Sequence, residues 1–271
     1  MIMTQRIHPL KRYSQNFLTN RYYAEKIIAA LNLKSDDVVL EIGAGTGMLT
    51  EIIQKYACTK IVSLEVDRRC IPLLQEKLSA KVEIVQDSIL NFSIEDLYLT
   101  WGKKVKVVGN IPYHITSEIL FRLMDDRGYI SQVVLMVQKE VADRLLATPH
   151  NKVYGIPTVL LGYYAQINRL FNLSRKNFLP VPKVDSTVIT LSFREEKNEL
   201  RDHDLFIKLV RQCFQTRRKM IQNGLKRIFN PLLVERIKTI PLSVRPEDLT
   251  IEDYVNLANE IYYLSSLDPQ V

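Results

Sequence analysis

Val38-Val39-Leu40-Glu41-Ile42 runs into Gly43-Ala44-Gly45-Thr46-Gly47, and Met48 to Tyr56 follows with Leu49, Ile52 and Ile53 at helical spacing. A short apolar run, a glycine-rich turn and an amphipathic segment read as strand, loop and helix. The pattern then repeats along the chain. Ile61 to Glu65 reads as a second strand, with a helix through Ile71, Leu74 and Leu78 behind it. Val82 to Gln86 is a third, ending at Asp87; Val105 to Val108 is a fourth, leading to Asn110; Val133 to Val137 is a fifth. Short apolar strands alternating with helices predict a mostly parallel α/β sheet covered on both faces. Upstream, Tyr22 to Leu31 has the spacing of a helix. Downstream, Ala165 to Leu173 and Ser186 to Phe193 read as closing strands, which brings the sheet to seven.

In open sheets of this kind ligands bind beyond the carboxyl ends of the strands. Gly43, Glu65, Asp87 and Asn110 each end or follow a predicted strand. The loop reads GxGxG, and Glu65 lies about 20 residues on, where an acid hydrogen-bonds ribose hydroxyls. A nicotinamide site would favour GxGxxG, with pyrophosphate on a helix N-terminus. The tighter spacing suits a ligand without phosphates, such as S-adenosylmethionine, with Asp87 as acceptor for an adenine amine. A plain strand-end turn would also use an aspartate there.

The stretch Val107-Val108-Gly109-Asn110-Ile111-Pro112-Tyr113 suggests the second half of the site. Gly109 and Pro112 are expected to interrupt regular structure. Asn110 brings an amide, the carbonyl before Pro112 brings an acceptor, and Tyr113 brings a flat ring with a polar tip. Together they suit a planar base bearing an exocyclic amine, although an ordinary strand-to-loop corner could be built from the same residues.

The net charge is +7, and residues 201–238 hold ten Lys/Arg against three Asp/Glu, enough to account for all of it. A smaller basic excess (Arg6, Lys11, Arg12, Arg21 and Lys26 against Glu25) lies in the first 30 residues. Basic regions flanking a near-neutral body form a nucleic-acid footprint, solvated helix faces being the plainer alternative. After the loop at 177–183, Arg194 to Asp204 reads as a linker, followed by helices over Leu205–Phe214 and Thr216–Phe229 and after Val244-Arg245-Pro246. The last has Thr250 and Asp253 as a cap and an apolar stripe at Tyr254, Leu257, Ala258 and Ile261. The expected division is residues 1–197 as an α/β domain with a basic arm, and 198–271 as a small helical domain.

Three cysteines without CxxC spacing (Cys58, Cys70, Cys213) and four scattered histidines suggest neither a disulfide framework nor a metal centre. The opening residues lack the apolar core of a secretory leader, so the expected location is the cytoplasm. No heptad or dimer stripe stands out, and a monomer is expected.

These motifs together resemble the ribosomal RNA adenine N6,N6-dimethyltransferases of the bacterial small-subunit branch. The resemblance rests on Gln15-Asn16-Phe17-Leu18, Glu41 to Gly47, Glu65-Val66-Asp67, Gly109 to Tyr113 and Val137 to Ala142. Further along come Phe178-x-Pro-x-Pro-Lys-Val-Asp185-Ser186 and Arg245-Pro246-Glu247-Asp248-Leu249, in family order over nearly the whole chain. Mild departures are Ala44 for a common proline, Ser14 for glycine, Ile111 for leucine and His114 for asparagine.

The resemblance implies a Rossmann-like class I methyltransferase. It would hold S-adenosylmethionine through Gln15, Asn16, Leu18, Gly43, Gly45, Glu65, Val66, Asp87, Ser88 and Asn110. The target would be two adjacent adenosines in the 3′-terminal hairpin loop of small-subunit rRNA within an immature 30S subunit, each methylated twice. Loss of that methylation is linked in the family to kasugamycin resistance. Asn110, Ile111, Pro112, Tyr113 and Phe178 are the expected catalytic set, Tyr113 and Phe178 stacking on opposite faces of the base. Lys208, Arg211, Arg217, Arg218, Lys219, Lys226 and Arg227 are expected to meet rRNA phosphates. The rival readings are a macrolide-resistance dimethyltransferase of large-subunit rRNA and a non-catalytic assembly factor of the same fold.

Overall fold

The structure, a computed structural model, describes residue 10, residues 15–194 and residues 199–267. Expectations for Arg6, Lys11, Arg12 and Ser14, and for a boundary at 197/198, fall outside the described residues. The elements run β1 (Phe17–Leu18), α1 (Arg21–Ala29), β2 (Val38–Ile42), α2 (Thr50–Ile53), β3 (Lys60–Leu64), α3 (Cys70–Lys77) and β4 (Val82–Val85). Then come α4 (Ile94–Trp101), β5 (Val105–Asn110), α5 (Thr116–Asp125), β6 (Ile130–Gln138), α6 (Lys139–Leu145) and α7 (Ile156–Tyr164). The remainder is β7 (Ala165–Leu173), β8 (Phe178–Leu179), β9 (Ser186–Phe193), α8 (His203–Gln215), α9 (Ile221–Leu225), α10 (Pro231–Glu235) and α11 (Ile251–Leu267).

Seven strands form one sheet in the order β4-β3-β2-β5-β6-β9-β7. From β4 to β6 every pairing is parallel, and β9 runs antiparallel to β6. All five residues of β2 are buried, as expected for a strand covered on both faces. The order reverses at β2, which has β3 on one side and β5 on the other, so a switch-point crevice opens beyond their carboxyl ends.

Gly109 does not interrupt its strand as expected. It continues β5, opposite Ile42 on one side and Leu135 on the other. A Cβ at this position would come within 2.6 Å of the Ile42 carbonyl oxygen. Glycine is needed here for close approach between strands rather than for a turn.

The chain separates into two compact units, one running through Ala142 and resuming over Ile167–Phe193, the other taking Asp143–Gln166 and continuing from Arg194. The division therefore differs from the sequence expectation by giving α7 and the end of α6 to the second unit. In that unit the expected helix over Thr216–Phe229 is not continuous. The chain turns after α8, Met220 is extended, and only Ile221–Leu225 is helical, because Ile221 N donates instead to the Val244 carbonyl. The expected linker also ends earlier than read, since α8 begins at His203, with Asp202 accepting from Leu205 N as its cap. α11 starts on the expected cap, with Asp253 N donating to Thr250 Oγ1 and Thr250 N to Asp253 Oδ2. Its stripe of Tyr254, Leu257, Ala258 and Ile261 is buried.

Candidate active site

A cleft opens at the switch point, beyond the carboxyl ends of the strands. Its floor is built by the glycine loop. Gly43 and Gly45 have φ of +75° and +56°, a region that L side chains rarely adopt. Gly43 N and Ala44 N both donate to the Leu64 carbonyl, which ties the loop to the end of β3. Lys77 Nζ donates to the Thr46 carbonyl from α3.

Glu65 clamps the loop from the next strand end. One carboxylate oxygen accepts from Gly45 N at 2.7 Å and the other from Asp67 N at 2.8 Å. Burial pushes this carboxyl above its ordinary value, and the Asp67 and Gly45 amides pull it back. Asp67 is held well down, at about 2, chiefly by the Arg69 guanidinium, and it also accepts from Gln15 Nε2. Beneath the loop, Glu41 accepts from Thr50 and Ser63 hydroxyls, and burial raises it to about 7. At the end of β4, Asp87 Oδ1 accepts from Ser88 N.

The other wall comes from the end of β5. Asn110 Nδ2 donates one of its two hydrogens to the Asn16 carbonyl at 2.9 Å, which orients the amide and leaves Oδ1 able to accept from a ligand. Pro112 precedes a single turn of 3-10 helix over Tyr113–Ile115. Tyr113 is half-buried, and its hydroxyl pairs with Ser186 Oγ at 2.9 Å across to β9. Burial raises the Tyr113 phenol, and the Ser186 bond opposes this.

Of the expected catalytic and cofactor positions, Gln15, Asn16, Gly43, Gly45, Glu65, Val66, Asp87, Ser88, Asn110, Ile111, Pro112 and Tyr113 all line the cleft. The other two, Leu18 and Phe178, stand opposite each other in the β1–β8 pair and are buried in the hydrophobic core. Phe178 is only 2% exposed and is not among the residues that line the cleft in this arrangement. The expected stacking on a base would require this ring to be uncovered. The apolar side chains of Phe17, Ile42, Leu64, Ile89, Ile115 and Ile119 complete the cleft, and sequence reading does not assign them. Nor does it find Ser186 as the partner of Tyr113, although Ser186 lies within a quoted motif.

In the second unit, Lys208, Arg211, Arg218, Lys219, Lys226 and Arg227 are exposed. Arg217 differs from them. It is half-buried, and its guanidinium pairs with Glu247 and donates to the Asn151 carbonyl, while Lys226 pairs with Glu235. Among the described residues no group of three or more His, Cys, Asp and Glu could hold a metal, and no helix is long and apolar enough to cross a membrane.

A seven-stranded sheet of this order, with a glycine loop, an acidic strand end and an apolar cleft, defines a class I methyltransferase that uses S-adenosylmethionine. The residues present fit that cofactor: the glycine loop leaves room for it, and acids stand at two successive strand ends. The chain belongs to the ribosomal RNA adenine dimethylase family, whose sequence pattern matches residues 8–262. Ribosomal RNA small subunit methyltransferase A of Syntrophus aciditrophicus (strain SB) is 38% identical over 274 residues, covering 95% of each chain. The crystal structure of a dimethyladenosine transferase from Plasmodium falciparum superposes with a TM-score of 0.75 at 26% identity, covering 92% of this chain and 98% of that one. The crystal structure of the 23S rRNA methyltransferase ErmE gives a TM-score of 0.69 at 26% identity, covering 91% and 100%.

Proposed function

We propose that this enzyme dimethylates N6 of two adjacent adenosines in the 3′-terminal hairpin loop of small-subunit rRNA, acting as a cytoplasmic monomer on an immature 30S subunit. The small-subunit assignment draws on the 38% identity to a protein named for that subunit, and on Arg245-Pro246-Glu247-Asp248-Leu249. The observation that carries the chemistry is the orientation of Asn110, whose amide nitrogen donates one hydrogen to the Asn16 carbonyl.

S-adenosylmethionine, when bound, supplies a methyl already activated by its sulfonium. Gly43, Gly45, Glu65, Val66, Asp87 and Ser88 would hold it. The difficulty lies with the adenine amine, whose lone pair is delocalised into the ring. Asn110 Oδ1 and the Ile111 carbonyl accept hydrogen bonds from that amine and hold it pyramidal, so catalysis is positioning plus electrostatics. Tyr113 stacks on the base, an interaction worth about 1–3 kcal/mol. The Ser186 bond anchors the hydroxyl end of its ring. The methylated amine is a strong acid and loses its proton to water, so no buried base is required. After one round a single N–H remains, and either acceptor suffices to orient it for the second.

The test is transfer of labelled methyl from S-adenosylmethionine to undermethylated small subunits, with mapping of the modified bases. Label on two adjacent adenosines of the terminal hairpin is expected. Label confined to large-subunit rRNA, or no transfer, would overturn the reading. For the basic helical unit, Arg218→Gln with Lys219→Gln should weaken rRNA binding and lower its salt slope by about 0.7–0.9 for each phosphate no longer neutralised. An unchanged slope in a salt titration would remove these two residues from the interface.

A further inference from the structure

The segment between β7 and β9 displays large apolar side chains from a fixed frame. Leu179 is 62% exposed, Val181 58% and Val184 40%, within six positions of the chain. Exposed aliphatic groups are ordinary when scattered, but here they cluster on one loop. That loop is firmly held. Thr19 N and Thr19 Oγ1 both donate to the Asn177 carbonyl, and Asn20 Nδ2 donates to Asn177 Oδ1. Arg175 N donates to Asp185 Oδ1, Arg175 Nη1 to the Lys183 carbonyl, and Lys139 N to the Asp185 carbonyl. Phe178 and Pro182 are buried and anchor it from within.

The charge on this loop is predominantly positive, with Arg175, Lys176 and Lys183 against Asp185. Lys176 and Lys183 are exposed, with no acidic partner among the described residues. The loop also adjoins the cleft at both ends. Leu179 stands opposite Phe17, which lines the cleft, and Ser186 follows Asp185 and holds Tyr113.

We propose that Leu179, Val181 and Val184 form an apolar wedge that packs against bases flanking the methylated adenosine, while Lys176 and Lys183 neutralise the adjoining phosphates. Single-stranded loop bases must be splayed apart to enter such a cleft, and they leave apolar faces that need a new surface. Nucleic-acid-binding proteins insert leucine and proline between base steps for this purpose. A protein partner would suit the aliphatic groups but gives no reason for two unpaired ammonium groups beside them. This inference rests on the rRNA reading above and assigns part of the RNA interface to the catalytic unit.

The test compares Leu179→Ser/Val181→Ser and Lys176→Gln/Lys183→Gln with wild type. Three quantities are read: the Kd for S-adenosylmethionine, the Kd for a protein-free RNA of the terminal hairpin, and the KM for undermethylated small subunits. Both variants should bind the hairpin at least tenfold more weakly and show a matching rise in KM, with the Kd for S-adenosylmethionine within twofold of wild type. The lysine pair should also lower the salt slope by about 0.7 for each single-strand phosphate released. Hairpin affinity unchanged in both variants would overturn the wedge. A defect seen only with assembled subunits would also overturn it, assigning the loop to a ribosomal protein. Because hairpin binding is measured without methyl transfer, an inactive wild type would count against the proposed function and leave the wedge to be judged on binding.

Discussion

The two walls of the cleft are built in opposite ways. The cofactor wall is held by the sheet and its immediate connections: Glu65 reaches Gly45 across adjacent strand ends, and the loop amides rest on the Leu64 carbonyl. The base wall is held by long-range ties, Asn110 to Asn16 and Tyr113 to Ser186. A wall made from neighbouring strands forms with the sheet, whereas one made from distant segments depends on their docking. Lesions in the base wall should therefore leave cofactor binding standing.

The most severe break should come from Asn110→Ala. Removal of one placed acceptor is expected to lower kcat about 10²–10³-fold, as for removal of a single oxyanion donor. Cofactor affinity should change by no more than the ~1 kcal/mol of one hydrogen bond. Single-turnover rates and cofactor titration separate the two, and a collapse of cofactor binding would erase the contrast. On the opposite wall, Glu65→Gln leaves one of two backbone amides without an acceptor, costing about 1–3 kcal/mol. Cofactor Kd should rise correspondingly, by roughly 5- to 150-fold, as isothermal titration would show.

A smaller effect is expected from Tyr113→Phe, which keeps the ring and removes only the tie to Ser186. A fall of about fivefold in kcat, near 1 kcal/mol, should appear with unchanged cofactor Kd. A test that touches stability rather than turnover concerns Glu41, below the cofactor wall, which burial holds at about 7 against an ordinary 4.5. Between those values the folded chain keeps a proton that the unfolded chain has released. Its stabilising contribution is complete below the lower value and is lost as pH rises through the upper one. Glu41→Gln should flatten that fall, on the order of 3 kcal/mol, in denaturant midpoints measured across the window.

Sequence reveals the cofactor wall more readily than the base wall for the same reason. Gly43, Glu65 and Asp87 follow strands that periodicity finds, and each acts near its own strand end. Asn110 and Tyr113 are also visible, as an amide and a ring beside a proline, but their partners Asn16 and Ser186 lie far along the chain. The burial of Phe178 is not legible locally, because it comes from the pairing of β8 with β1 about 160 positions away. Gly109 misleads because its constraint is the Ile42 carbonyl on a neighbouring strand. The pairing of Arg217 with Glu247 is likewise not legible locally, because the two are 30 positions apart. Local pattern locates strands and loops; it does not say which side chain a distant segment will claim.

The acceptor that orients Asn110 belongs to the main chain of residue 16, so no replacement of the Asn16 side chain deletes it. Drift at that codon leaves the catalytic amide aimed, even where it weakens interactions made by the side chain itself. A frame-preserving deletion of one residue within β1 would instead slide the carbonyl out of reach. Such a deletion would behave as an active-site lesion although every residue on the cleft's far wall was intact.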